Sequence, residues 1–288
     1  MVGSTRQCAT GAKTMSELRT RIQTAAILAP LAIAAVLLLD TPGFALVLAA
    51  LFAFGMTEWA RLIGLNSLAS RALLVGINVA VMAILWEERG TLVMLGALLV
   101  GIVWWPLAAL WLRYYRFGEA LKRRYAGLKA LAGSLIVIPA WAAAVTLHRE
   151  DSAGPWWVLY VLMLIWVADI CAYFAGRRYG RTKLAPNISP GKTRAGLYGA
   201  LIGCGVFSLI VAIALDHGWQ ACLGLLFLSF VTVLFSVVGD LFESLIKRHA
   251  NHKDSGRLLP GHGGIFDRFD SLFAALPVFA VGKLALAF

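Results

Sequence analysis

Residues 219–239 read WQACLGLLFLSFVTVLFSVVG and contain no charged side chain. About 20 predominantly apolar residues are enough for a helix to cross the hydrocarbon core of a bilayer. The chain turns polar directly after this run, beginning at Asp240. The segment therefore predicts a membrane-spanning helix with charged residues at its end. Apolar runs of similar length recur along the rest of the chain.

The overall composition also indicates a membrane protein. Of the 288 residues, 60% are hydrophobic and 14% are charged, whereas soluble domains are roughly half apolar and a quarter charged. We expect an all-α, polytopic integral membrane protein with about nine transmembrane helices. The second of these segments ends on the charged residues Glu58 and Arg61. The predicted spans are 22–39, 44–62, 68–86, 91–112, 128–147, 156–175, 197–215, 219–239 and 271–288.

The basic residues alternate between the two sides of the predicted spans. All but three of the 26 lysines and arginines lie in the N-terminal tail, or between the end of spans 2, 4, 6 and 8 and the start of the span that follows each; the exceptions are Arg89, Arg149 and Lys283. Cytoplasmic loops carry an excess of Lys and Arg, so the pattern predicts a cytoplasmic N-terminus. This topology accounts for the net charge of +11, and no nucleic-acid partner is expected.

The densest polar region lies between spans 8 and 9. Two acids, Asp267 and Asp270, precede span 9 at a separation of three residues. If the two helix ends meet, their carboxylates can bind Mg²⁺, which takes oxygen ligands from carboxylates and substrate phosphates. The alternative is a pair of ordinary helix ends with solvated faces. Four polar residues at the end of span 8 would share one helix face: Asp240, Glu243, Ser244 and Lys247.

Span 6 contains a second unusual acid, Asp169. An ionisable residue inside a span is costly and indicates a functional site by default, although a structural ion pair is the alternative. We expect Asp169 to face a polar cavity that it shares with the ends of spans 8 and 9. Its expected role is on the metal side of that cavity, and it is not expected to be a nucleophile.

The loop after span 6 contains Ser-Pro-Gly-Lys-Thr at residues 189–193. Its end is similar to a phosphate-binding P-loop, but Pro186 replaces the required glycine and no strand is expected before it. A basic loop with hydroxyl groups can still bind phosphates. In span 7, Gly199 and Gly203 have the spacing of a close helix–helix contact.

The segment from Ser244 to Asp270 resembles the signature of the phosphatidate cytidylyltransferase, or CDP-diacylglycerol synthase, family. It reads SLIKRHANHKDSGRLLPGHGGIFDRFD. Two weaker features agree, because the segment from Asp169 is similar to the family's Asp-x-x-Ala-Tyr-x-x-Gly and residues 189–193 to its Ser-Pro-x-Lys-Thr. Many members then carry Trp-Glu-Gly, where this chain has Arg194-Ala195-Gly196.

The resemblance implies a dimeric, Mg²⁺-dependent enzyme of the inner membrane, with its active site facing the cytoplasm. It would convert CTP and phosphatidate into CDP-diacylglycerol and pyrophosphate; whether a second cation shares the site stays open. The chain would comprise a cytoplasmic tail (1–21), N-terminal membrane helices (22–155, spans 1–5) and a catalytic membrane region (156–288, spans 6–9). We expect Asp240 and Asp267 to be direct metal ligands, because they lie at the facing ends of spans 8 and 9, with Asp270, Ser244 and Asp169 beside them. The implied substrate-binding residues are Ser189, Lys192, Thr193, Gly263 and Gly264. The implied catalytic residues are Lys247, Arg248, Lys253, Asp254, His262 and Arg268.

A polytopic transporter of an anionic substrate is the main alternative function. Such a protein usually has internal symmetry and interrupted spans near the midplane of the membrane. Here the polar residues concentrate in one part of the chain and on one predicted side, which favours an enzyme.

Overall fold

The computed structural model describes residues 24, 26–119, 123–216, 218–256 and 263–286. The predicted tail 1–21 and the candidate residue His262 lie outside these ranges. Within them the chain forms nine helices and one small hairpin. The helices are α1 (Ala26–Leu38), α2 (Thr41–Leu62), α3 (Leu68–Glu87), α4 (Leu92–Arg113), α5 (Arg123–His148), α6 (Gly154–Tyr179), α7 (Arg194–Leu215), α8 (Gly218–His249) and α9 (Phe266–Leu286). The strands are β1 (Lys183–Ala185) and β2 (Ser189–Thr193).

The prediction of an all-α, multi-pass membrane protein is confirmed. Helices α2 to α9 are each long and apolar enough to cross a membrane. The described part of α1 is shorter, at Ala26–Leu38. Each predicted span coincides with one of these helices, because a long apolar run can satisfy its backbone inside a bilayer only as a helix or in a closed barrel.

Polar side chains mark where several helices begin. Asp40, Ser67, Thr91 and Thr193 each precede a helix and accept a hydrogen bond from a backbone N–H of its first turn. Such caps satisfy donors that have no partner within the helix. The helix starts are therefore set locally, by residues at the polar ends of the apolar runs.

Two polar segments beyond the predicted spans are ordered secondary structure. Helix α8 does not stop at Gly239 but continues to His249, so the four polar residues from Asp240 to Lys247 lie on a helix, as their spacing predicted. At about 1.5 Å per residue, its 32 residues are longer than the ~30 Å hydrocarbon core. The loop after span 6 contains the antiparallel hairpin β1–β2, in which Lys183 pairs with Thr193 and Ala185 with Ser189.

Small residues bring α6 and α7 close together. A Cβ on Gly199 would overlap Ala175 and lie 2.8 Å from the carbonyl oxygen of Cys171, and one on Gly203 would overlap the Cys171 side chain. The predicted helix-packing role of these two glycines is confirmed. Close backbone approach is a common source of helix association where lipid removes the hydrophobic driving force.

Helix α9 lies at the centre of the bundle, against α4, α5 and α8. Its residues from Ser271 to Ala280 are all buried. Near its start, a Cβ on Gly239 of α8 would stand 2.5 Å from the carbonyl oxygen of Asp270. The polar end of α8 is therefore held directly beside the first turn of α9, as the sequence predicted for these two helix ends.

We predict that Gly199→Ala lowers the thermal stability of the purified protein in detergent. The added methyl group has no space between α6 and α7, whereas Gly96 in α4 has nothing within 4 Å of the corresponding position. Gly96→Ala is therefore the matched control, and it should leave stability unchanged or raise it by up to about 1 kcal/mol through better helix propensity. Equal melting temperatures for the two variants would contradict the packing.

Candidate active site

Several polar contacts between elements lie at one end of the bundle. Arg248, near the end of α8, donates from Nε to the carbonyl oxygen of Ile188 in the hairpin at 3.2 Å. The Nε1–H of Trp59, near the end of α2, donates to the carbonyl oxygen of Lys129 in α5 at 2.9 Å. We call this end, where α8 ends and α9 begins, the site end.

A cavity of about 400 Å³ opens at the site end between α6, the hairpin, α7 and α8. Asp169, Lys192, Thr193 and Asp240 all contribute to its wall. The expectation that Asp169 faces a cavity shared with Asp240 is therefore confirmed. The wall also includes Ser271, from the first turn of α9.

Lys192 of β2 forms an ion pair with the Oδ2 atom of Asp240. The hydroxyl of Ser244, one turn later on α8, donates to the Oδ1 atom of the same carboxylate at 3.4 Å. The hairpin thus places a cation from the Ser-Pro-Gly-Lys-Thr segment against the first acid of α8. Two sequence-predicted groups that are 48 positions apart meet at one cavity wall.

Lys247 joins the carboxylates of two helices. Its Nζ atom lies 2.7 Å from Oδ1 of Asp267 in α9 and 3.4 Å from Oε1 of Glu243 in α8. All three side chains are largely buried. Charged groups buried this far from water persist only when they are paired, so Lys247 neutralises the junction of α8 and α9.

Asp267 is also held by the backbone. Its carboxylate accepts hydrogen bonds from the backbone N–H of Ser255, at 2.9 Å to Oδ2, and of Gly264, at 2.8 Å. Gly263 has a φ of +82°, and a Cβ there would lie 2.7 Å from the Asp267 carboxylate. The glycines of the motif therefore let the backbone close around Asp267, and they contact this acid rather than lining the cavity.

Asp270 and Glu243 complete the acidic group. Asp270 interacts electrostatically with Asp240 and accepts a hydrogen bond from the backbone N–H of Ser271 at 2.7 Å. Glu243 is buried, and its Oε1 atom faces Lys247 at 3.4 Å. Acids this close together disfavour one another's negative charge, and a nearby cation favours it.

The remaining candidates lie around this centre. Arg268 is exposed and interacts electrostatically with Asp169. Lys253 and Asp254 are exposed in the segment that follows α8. Ser189 begins β2, and Thr193 caps α7 through its hydroxyl. The structure thus places Lys253 and Asp254 at the surface, and gives Arg248 and Thr193 contacts that also support the hairpin.

The structure changes one step of the P-loop argument. A strand, β1, does precede the Gly-Lys-Thr sequence, contrary to expectation, because Lys183–Ala185 pairs with β2. Gly191, Lys192 and Thr193 are themselves strand residues and do not form a loop that wraps a phosphate. The hairpin presents Lys192 to the cavity from a strand, together with Lys183 of β1.

Two acids that the site depends on were not among the candidates. Glu243 was recognised as part of the polar face of α8 but was given no role; its i, i+4 spacing to Lys247 was the available signal. Glu58, at the end of α2, hydrogen-bonds the backbone of Phe266 at 2.9 Å. An acid at the end of an otherwise apolar span was its signal.

The donor set fits Mg²⁺ in chemistry. Carboxylate oxygens are the ligands that this ion prefers, and Asp169 and Asp240 present them to the cavity. Among the described residues no three His, Cys, Asp or Glu side chains are already grouped as a metal site. Lys192 and Lys247 lie between the acids instead, which accounts for the spacing of the carboxylates.

Comparison with known proteins identifies close relatives. The cytidylyltransferase family model matches residues 19–284. A phosphatidate cytidylyltransferase from Pseudomonas aeruginosa is 40% identical over 269 residues, covering 91% of this chain and 96% of that protein. Phosphatidate cytidylyltransferases from Haemophilus influenzae and Brucella suis are 34% and 35% identical, each over 91% of this chain and over 97% and 91% of their own length.

We predict that a cysteine at position 169 reacts with a polar, water-soluble maleimide, because Asp169 lines the cavity. Ile170, the next residue, is 55% exposed but does not line it, so Ile170→Cys should react slowly at a surface that faces lipid. Both variants require a background in which Cys8, Cys171, Cys204 and Cys222 are replaced. Labelling would be followed by mass spectrometry in open membrane fragments. Faster labelling of Ile170→Cys would contradict this placement of the cavity.

Proposed function

We infer that this chain, which belongs to the cytidylyltransferase family, transfers the cytidylyl group of CTP to phosphatidate. The products are CDP-diacylglycerol and pyrophosphate, and the step belongs to phospholipid biosynthesis. The observation that carries this conclusion is the 40% identity to a phosphatidate cytidylyltransferase over 91% of the chain. The cavity between charged helix ends is the part of the fold suited to the reaction.

The reaction needs charge compensation more than acid–base catalysis. Phosphatidate is a phosphate monoester with a second pKa near 6, so at neutral pH it is already an anionic nucleophile. One of its oxygens attacks the α-phosphorus of CTP, a new P–O bond forms, and the bond to the β-phosphate oxygen breaks to release pyrophosphate. Catalysis of phosphoryl transfer consists mainly of positioning and electrostatic stabilisation.

Lys192 is the cation placed to supply part of that stabilisation. It lies in the cavity wall, on the hairpin, and its partner Asp240 is half-buried. An ammonium group at this position attracts a phosphate while Asp240 fixes its direction. Lys247 acts indirectly, because its ion pairs hold Asp267 and Glu243 in place. Arg268 and Lys253 are exposed cations suited to the phosphates of CTP.

The position of the cavity suits two substrates that arrive from different phases. Asp169 lies ten residues before the end of α6, roughly 15 Å along the helix at 1.5 Å per residue. A polar cavity that reaches this depth brings a lipid headgroup and a water-soluble nucleotide to one place. A transporter, the alternative considered from the sequence, has no support in the relatives, which bear the name of an enzyme.

The proposed function is tested by incubating the purified protein with cytidine-labelled CTP and phosphatidate. Label should pass into the organic phase as CDP-diacylglycerol, with one pyrophosphate released per lipid. Omission of phosphatidate should stop both. Pyrophosphate release that does not depend on phosphatidate would exclude the proposal.

Mg²⁺ is the proposed cofactor, with Asp240 and Asp267 as its candidate ligands and Asp169, Asp270 and Ser244 beside them. The support is the all-oxygen donor set, with Asp169 and Asp240 in the cavity wall. Mg²⁺ would supply charge neutralisation on the phosphates. We propose no second cation from these residues.

We predict that removing divalent metal with EDTA abolishes turnover and that added Mg²⁺ restores it, because the acidic centre otherwise repels a polyphosphate. The same concentration of preformed Mg²⁺–EDTA is the control and should have no effect. Lipid-phase label is the measurement. Undiminished activity in EDTA would show that the lysines alone provide the compensation.

We predict that Asp240→Asn and Asp267→Asn each lower kcat roughly a hundredfold or more, the scale on which one major electrostatic element of an active site contributes. Glu87→Gln is the matched control. Glu87 is an exposed acid and the last residue of α3, and Ser67 caps the other end of that helix. The control should retain full activity. A near-normal kcat in either Asn variant would remove that residue from the proposed centre.

The proposal also covers the orientation of the protein in the membrane and its oligomeric state. The distribution of Lys and Arg supports a site that faces the cytoplasm, and the family resemblance supports the inner membrane. The maleimide should then reach Asp169→Cys in inverted vesicles and not in sealed cells. The family resemblance supports a homodimer, so the detergent-solubilised protein should contain two 31.1 kDa chains. A monomer that turns over normally would contradict the dimer.

A further inference from the structure

Glu58 is a buried acid that the reaction chemistry described above does not use. It lies in the last turn of α2, far along the chain from the motif, and its residue is 5% exposed. A buried carboxylate is costly unless hydrogen bonds satisfy it. Its partners therefore indicate what the residue does.

Among the described residues, Glu58 accepts one hydrogen bond from the segment that follows α8 and one from the start of α9. Its Oε2 atom accepts from the hydroxyl of Ser255 at 3.0 Å and from the backbone N–H of Phe266 at 2.9 Å. Phe266 is the first residue of α9. Glu58 thus acts as an N-terminal cap supplied by another helix, a position where the helix dipole favours negative charge.

The backbone around this carboxylate is fitted to it. A Cβ on Gly256 would overlap Oε1 of Glu58, and a Cβ on Gly264 would overlap Oε2. The two glycines lie on opposite sides of residues 257–262. The parts of the chain that they belong to, 255–256 and 263–266, are the two arms of the segment, and the absence of side chains on the glycines allows both arms to contact Glu58. This contact ties both arms to the N-terminal membrane helices.

The same two arms hold Asp267. Ser255 donates its hydroxyl to Glu58 and its backbone N–H to Asp267, at 2.9 Å. Gly264, whose N–H also binds Asp267, is two residues before Phe266. A displacement of Ser255 or of the start of α9 would therefore move the hydrogen-bond donors of Asp267, and with them its contact to Lys247.

We propose that Glu58 is a positioning residue for cytidylyl transfer: it fixes Ser255 and the start of α9 so that Asp267 and Lys247 keep the geometry that the reaction needs. The N-terminal helices thereby contribute to the reaction without a residue in the cavity. The proposal rests on the proposed function of the site. It concerns how the site is held and assigns Glu58 no contact with substrate.

Ordinary packing alone would not need the acid. Trp59 and Phe266 already pack with ring centroids 5.0 Å apart, and a Cβ on Gly55 would lie 3.2 Å from the Phe266 ring. These apolar contacts dock α9 on α2. The carboxylate adds direction, because it accepts from two specific donors at once.

The test compares Glu58→Gln, Ser255→Ala and the double variant in the full-length purified protein. Glu58→Gln keeps the shape but removes the negative charge, so that the two donors meet a neutral and weaker acceptor at the start of α9. Ser255→Ala removes one donor and leaves the backbone bond to Asp267. The measurements are kcat, KM for CTP, and the folded fraction from thermal unfolding and gel filtration.

We expect each single variant to lower kcat per folded molecule by roughly tenfold to a hundredfold, since small displacements of reacting groups have effects of this size. The KM for CTP should change much less. The double variant should be no worse than Glu58→Gln, because both changes break one connection. Trp141→Phe is the control: it removes a buried hydrogen bond from α5 to the carbonyl oxygen of Ala45 in α2, away from the segment. It should lower stability and leave kcat unchanged.

Unchanged kcat per folded molecule in both single variants would overturn the proposal and leave Glu58 with a purely structural role. Multiplying effects in the double variant would also overturn it, since the two residues would then act separately. If Glu58→Gln does not fold, the kcat of Ser255→Ala decides. A wild-type protein that makes no CDP-diacylglycerol would instead refute the proposed function.

Discussion

The constraint on which the rest of the structure depends is the neutralisation of acids at the boundary of a membrane bundle. Asp240 and Glu243 of α8 meet Asp267 and Asp270 of α9, and Asp169 of α6 faces the same region. Like charges this close repel strongly in a medium of low dielectric constant. Lys192 and Lys247 compensate the repulsion, one from the hairpin and one from α8 itself. The arrangement keeps a dense group of carboxylates near a cavity, ready for substrates that bring phosphates and a metal ion.

Several features of the fold follow from this requirement. Helix α8 has to extend beyond the apolar core for Glu243 and Lys247 to reach α9, and it does so without interruption to His249. The hairpin has to cross toward α8 to bring Lys192 to Asp240, and Arg248 fastens it there through Ile188. The glycines before α9 have to lack side chains for the backbone to close around Asp267 and Glu58. The extension of α8, the hairpin contact and the glycines all support the charge pairs. The apolar core is formed separately, by α9 and the helices that pack against it.

Much of this could be predicted from the sequence. Long apolar runs predicted the helices, because they depend only on the order of apolar and polar residues. The alternation of basic residues supported nine spans; eight of the described helices are long enough to cross a membrane, and α1 is shorter. The shared helix face of Asp240 and Lys247 followed from their spacing. The cavity position of Asp169 followed from the energetic cost of an ionisable residue inside a span. The hairpin was not predicted, since polar residues after a span are equally compatible with a loop. Nor were the partners: that Lys192 pairs with Asp240, and Glu58 with Ser255, depends on contacts between distant segments that no local pattern encodes.

The central claim is that the lysines and carboxylates act as one electrostatic unit in cytidylyl transfer. The most direct measurement is a double-mutant cycle on kcat with Lys192→Gln, Asp240→Asn and their combination, in protein shown to be folded. Groups that act as a unit are strongly non-additive. The account predicts that each single variant loses most of the activity and that the double variant is no slower than the slower single one. Losses that multiply in the double variant would show that the two residues act independently, and would contradict the claim.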